Sequence, residues 1–60
     1  MRLPKITENQ SIGIEFGWSY HMNTSDRKYA KQKIREQGRH KVTAVKVYED
    51  GKVISVKKYS

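Results

Sequence analysis

Between Ser11 and Met22, apolar and polar residues alternate without a break. The even positions are Ile12, Ile14, Phe16, Trp18, Tyr20 and Met22; the odd ones are Ser11, Gly13, Glu15, Gly17, Ser19 and His21. A period of two marks a half-buried β-strand, whereas a helix would scatter the large side chains all round its axis. The spacing therefore predicts one long strand over Ser11–Met22, with the core built on its aromatic face. Gly13 and Gly17 fall on the opposite face, where glycine absorbs the bend or bulge that so long a strand invites. The competing reading of these glycines is close approach by another surface.

Asn23, Thr24, Ser25 and Asp26 follow, and all four are helix N-cap residues. The pattern predicts a helix over Ser25–Gln37, with Gly38 as its C-terminal stop. At ~100° per residue, Asp26, Ala30, Lys33, Ile34 and Gln37 share a stripe in which only Ala30 and Ile34 are apolar, with Tyr29 flanking it. Such a helix docks lightly on the strand. Its other face carries Arg27, Lys31 and Arg35 at spacings of four, with Lys28 beside them and Arg39 continuing the row past Gly38. Like charges at i and i+4 each cost a helix a few tenths of a kcal/mol, roughly. Arg27 and Lys28 also oppose the helix dipole. Glu36, the only acid inside the helix body, points elsewhere. Helix stability is thus given up to keep one face cationic.

Two β-rich runs, Lys41–Tyr48 and Lys52–Tyr59, flank Asp50-Gly51, the pair favoured in two-residue type I′ hairpins. That turn predicts the pairs Glu49–Lys52, Val47–Ile54 and Val45–Val56. Val45, Val47, Ile54 and Val56 then face the core. Val42, Ala44, Lys46, Tyr48, Val53, Ser55, Lys57 and Tyr59 face outward. A glycine-bulged loop would shift the register by one and mix the faces. Residues 1–10 read either as a basic flexible arm carrying Arg2 and Lys5 or as an edge strand over Lys5–Thr7, followed by a turn at Glu8-Asn9-Gln10.

The expected fold is a small α+β domain of order (β)-β-α-β-β, one helix on an antiparallel sheet ending in a C-terminal hairpin. Its expected core is Ile12, Ile14, Phe16, Trp18, Ala30, Ile34, Val45, Val47, Ile54 and Val56. A chain of 60 residues buries only about 60% of its unfolded surface. With no cysteine to supply a disulfide, pairing of strand edges in a homodimer, or burial of Tyr20 and Met22, would add stability.

Absent chemistry excludes several function classes. The sequence holds no phosphate-cradling glycine loop, no nucleophile beside a base and no pair of carboxylates set for acid–base work, so it reads as a non-enzyme without a cofactor. His21 and His40 have no partners at metal-ligand spacing, and thiolate sites need cysteine. The missing cysteine also fits a cytoplasmic protein. No apolar run is long enough to span a bilayer or to serve as a signal peptide. The helix lacks the broad apolar face that membrane attachment requires.

What is present is positive charge: 13 Lys and Arg against six Asp and Glu, a net +7. A charge excess of this size attracts polyanions. The sequence therefore points to nucleic-acid binding, DNA somewhat ahead of RNA. Arg27, Lys28, Lys31, Arg35 and Arg39 would meet phosphates, and Lys46 and Lys57 on the hairpin would join Tyr48 and Tyr59 as stacking rings. No segment matches the helix-turn-helix, RNA-recognition, KH or zinc-finger patterns. The alternative is a regulatory or inhibitory module that docks on an acidic protein surface.

Overall fold

A computed structural model describes residues 2–17 and 20–59. The elements are β1 (Gln10–Phe16), β2 (Tyr20–Thr24), α1 (Arg27–Gln37), a single 3-10 turn (Arg39–Lys41), β3 (Val42–Glu49) and β4 (Lys52–Lys58). The strands form one antiparallel four-stranded sheet of order β2-β1-β3-β4, and α1 packs on one of its faces. The α+β architecture and the ββαββ order agree with the sequence reading.

The alternating stretch is a hairpin rather than a single strand. β1 turns back into β2, pairing Ile12 with Thr24, Ile14 with Met22 and Phe16 with Tyr20. Even positions pair with even and odd with odd, so even residues on both strands point to the same side of the sheet. The alternation therefore passes through the reversal unbroken, and periodicity alone cannot register the turn. Gly17 lies where the chain leaves β1, its N–H donating to the Lys41 carbonyl at 2.8 Å. Its φ is not positive and a Cβ there would make only ordinary contacts, so the position does not require glycine. Gly13 marks no bend: β1 runs straight through it, and the Tyr48 ring lies over it. A Cβ at Gly13 would come within 2.6 Å of Tyr48 Cε1. The expectation for Trp18 falls outside the described residues.

Ile12, Ile14 and Phe16 are buried under Ala30 and Ile34 of α1, with Val42, Val45 and Leu3 completing the cluster. Tyr20 and Met22, half-buried, pack at its margin. Val42 was expected outside. A bulge at Thr43 pairs Glu15 with Ala44 but Phe16 with Val42, and this extra residue turns Val42 inward. Ala44 stays on the face away from the helix and is nevertheless buried.

The second hairpin has the turn that Asp50-Gly51 predicts, with φ of 52° at Asp50 and 80° at Gly51, the paired positive values of type I′. Glu49 faces Lys52 and Tyr48 faces Val53, but the register then slips so that Val47 faces Ser55 and Val45 faces Lys57. Ile54 is the extra residue. Ile54 (54% exposed) and Val56 (47%) are consequently not core, and Val53 is 45% exposed. The physical reason is β4's place at the sheet edge, where its outer ladder is unpaired and an inserted residue costs little.

Residues 2–7 form no strand. They run as an irregular segment whose Leu3 is buried in the core and whose Ile6 packs at its margin. It ends in a turn at Glu8-Asn9, closed by the Gln10 N–H donating to the Thr7 carbonyl at 3.1 Å.

Helix α1 begins within two residues of the expected position. Asp26 is the N-cap, its Oδ1 accepting from the Lys28 N–H at 2.9 Å and the Tyr29 N–H at 3.3 Å. Gly38, at φ 101°, ends it and donates its N–H to the Ile34 carbonyl at 2.9 Å. In urea titrations Asp26→Ala is expected to cost about 1 kcal/mol. An unchanged midpoint would mean that the cap contributes nothing.

Candidate nucleic-acid interface

A four-residue spacing on a helix sets side chains one above the other, so α1 carries Lys31 and Arg35 as neighbours, with Lys28 one turn earlier. Gly38 and the 3-10 turn then bring Arg39 beside Arg35. Lys28, Lys31, Arg35 and Arg39 are all exposed. Lys31, Arg35 and Arg39 rim an open groove of about 420 Å³ whose apolar lining is Leu3 and Ile34. Among the described residues the ion pairs are Lys33–Glu36 and Lys46–Glu15; neither involves this row. Glu36 also accepts from Gln32 Nε2 at 3.1 Å. Those contacts from Gln32 and Lys33 hold its carboxyl below the ordinary glutamate range. The helix's single acid is thereby occupied away from the cationic row.

Arg27 departs from the expected open stripe. Its Nε donates to the Pro4 carbonyl at 3.0 Å and its guanidinium also reaches the Leu3 carbonyl at 3.3 Å. The side chain ties the N-terminal segment to the helix and, in doing so, fixes Leu3 beneath the groove. A guanidinium at a helix start is unfavourable against the dipole; two backbone carbonyls offset that here. Leu3 is the residue of this region that the sequence reading passed over. Its signal was an apolar side chain which, with Ile6, punctuates a segment otherwise carrying Arg2, Lys5 and Thr7.

The second expected group does not assemble. Lys46, Lys57, Tyr48 and Tyr59 were placed on one outer face, but the bulge at Ile54 separates them. Lys46 and Tyr48 lie on the face away from the helix. Lys57, opposite Val45, lies on the helix side, with its Nζ 5.5 Å from the centroid of the Tyr59 ring. Tyr59 packs against the core, and Tyr48 covers Gly13. Lys46 is not free either: its ammonium is hydrogen-bonded to the Glu15 carboxylate across β1 and β3.

Comparison with protein-family models, curated proteins and solved structures gave no match to this chain.

The Lys46–Glu15 pair gives a pH signature independent of the cationic row. The hydrogen bond from Lys46 holds the Glu15 carboxyl below its ordinary range, and the same bond raises Lys46. The Glu15 contribution to stability is fully present above an ordinary glutamate pKa and is lost as pH falls through the depressed value. The Lys46 contribution is complete below the ordinary lysine value and disappears as pH rises through the raised one. Lys46→Met is therefore expected to flatten part of the acid limb of a stability–pH profile. An unaltered limb would show that the pair is energetically silent, as exposed pairs often are.

Among the described residues no group of His, Cys, Asp and Glu side chains is placed to hold a metal ion, and no helix is long and apolar enough to cross a membrane.

Proposed function

We propose that this protein binds nucleic acid, duplex DNA ahead of RNA, through Lys28, Lys31, Arg35 and Arg39, with Arg27 bracing the row from beneath. The observation that carries the reading is the exposure of these four cations on one side of the molecule, none of them ion-paired among the described residues. Cations without protein counter-charges hold phosphates by releasing the counterions condensed on the nucleic acid, a gain that paired cations forfeit. Arginines at positions 35 and 39 add fork geometry that suits phosphate oxygens and, within a major groove, guanine edges. A rigid helix presenting the row is the reason for preferring a duplex.

The test is fluorescence anisotropy of a labelled duplex and a labelled single strand, each titrated across salt. Four phosphate contacts predict a slope of log K against log salt of about −3.6 on B-DNA. Binding that ignores salt, or no binding at low salt, would remove this function.

A further inference from the structure

We infer that β4 is a docking edge for an extended segment of a partner protein in which acidic and apolar residues alternate. Strand β4 closes the sheet on one side, every one of its residues is exposed, and among the described residues no strand pairs with its outer backbone edge. The bulge divides its side chains between the two faces of the sheet. Val53 and Val56, opposite Tyr48 and Lys46, lie on the face away from the helix, with Lys58, opposite Ala44, at the strand's end. Lys52 and Lys57, opposite Glu49 and Val45, lie on the helix side. Ile54, the bulged residue, is the most exposed of the large apolar side chains among the described residues. An edge that faced only water would need its lysines and its bulge to prevent unwanted pairing. It would not need three large aliphatic side chains left in solvent.

A strand added to β4 continues the ladder by main-chain hydrogen bonds, and its alternate side chains fall on the two faces. Along the middle of β4 its side chains meet Val53 and Val56 on one face and, on the other, Lys52 and Lys57 either side of Ser55. The complementary strand therefore alternates apolar residues with aspartate or glutamate. A second copy of this chain is a poor occupant. Two β4 strands paired antiparallel about Ser55 would set Lys52 of one near Lys57 and Lys58 of the other, and like charges directly opposite are destabilising. This surface lies on β4, apart from the helix row, and does not depend on the nucleic-acid reading.

The experiment is an amide-resolved NMR titration of the full chain with two short acetylated peptides, one alternating glutamate with valine and the other lysine with valine. The acidic peptide is expected to bind at least about tenfold more tightly, with shifts concentrated in Lys52–Lys58 and the adjoining residues of β3. In Lys52→Glu with Lys57→Glu the preference is expected to reverse, and circular dichroism reports whether that variant is folded. If it is not, the comparison of the two peptides on the unaltered chain still decides. Equal binding of both peptides, shifts centred on α1, no binding, or concentration-dependent self-association through β4 would each overturn the inference.

Discussion

Replacing Lys31 and Arg35 together by glutamate is expected to lower duplex affinity by about 100-fold at low salt and to reduce the salt slope by about two. Both residues are exposed and, among the described residues, neither side chain takes part in a hydrogen bond or ion pair of the fold, so the far-UV spectrum should hold and the urea midpoint should move little. The like-charge i, i+4 repulsion between the two positions is unchanged by the reversal. An acid at position 35 opposes the helix dipole in the last turn, so the expected loss of stability is at most about 1 kcal/mol. Lys5→Glu and Lys52→Glu remove the same kind of charge elsewhere and are expected to cost little. Equal losses from those two would mean that the net +7, rather than the row, does the binding.

The largest effect on stability is expected from Phe16→Ala. Phe16 is 2% exposed, its ring lies 5.4 Å from that of Tyr20, and it closes the end of the sheet opposite Val42. Truncating a buried phenylalanine costs about 3–5 kcal/mol. A 60-residue chain holds only roughly 3–9 kcal/mol in total at typical values per residue. The variant should lose most of its cooperative urea transition at room temperature. Val53→Ala, on the exposed edge, should fall within about 0.5 kcal/mol of the parent. A Phe16→Ala midpoint close to the parent's would show that the core is not where the buried cluster lies.

Much of this was legible in the residues because local chemistry decided it. Asp26 and Gly38 bracket the helix by capping, Asp50-Gly51 sets a turn that only positive φ satisfies, and Ile12, Ile14 and Phe16 share a face at any register. What stayed hidden was set by pairing between strands. The reversal between β1 and β2 preserves parity, so the Ser11–Met22 pattern is the same for one strand or two. The bulges at Thr43 and Ile54 each shift parity by one. They bring Val42 in, put Val56 out and divide Lys46 and Tyr48 from Lys57 and Tyr59. Val53-Ile54-Ser55-Val56 carried the warning, since three aliphatics at those positions fit no single period-two phase. At the proposed interface, spacing alone placed Lys28, Lys31, Arg35 and Arg39. The engagement of Arg27 with the Leu3 and Pro4 carbonyls depends on a long-range contact that no local pattern records.

The most direct measurement is a map of amide shifts as a duplex is titrated into the labelled protein at low salt. The account predicts that the shifts cluster on Lys28–Gln37 and Arg39, around the groove floored by Leu3 and Ile34, and fade as salt is raised. Shifts confined to β4, or to the sheet face bearing Tyr48 and Lys46, would contradict it.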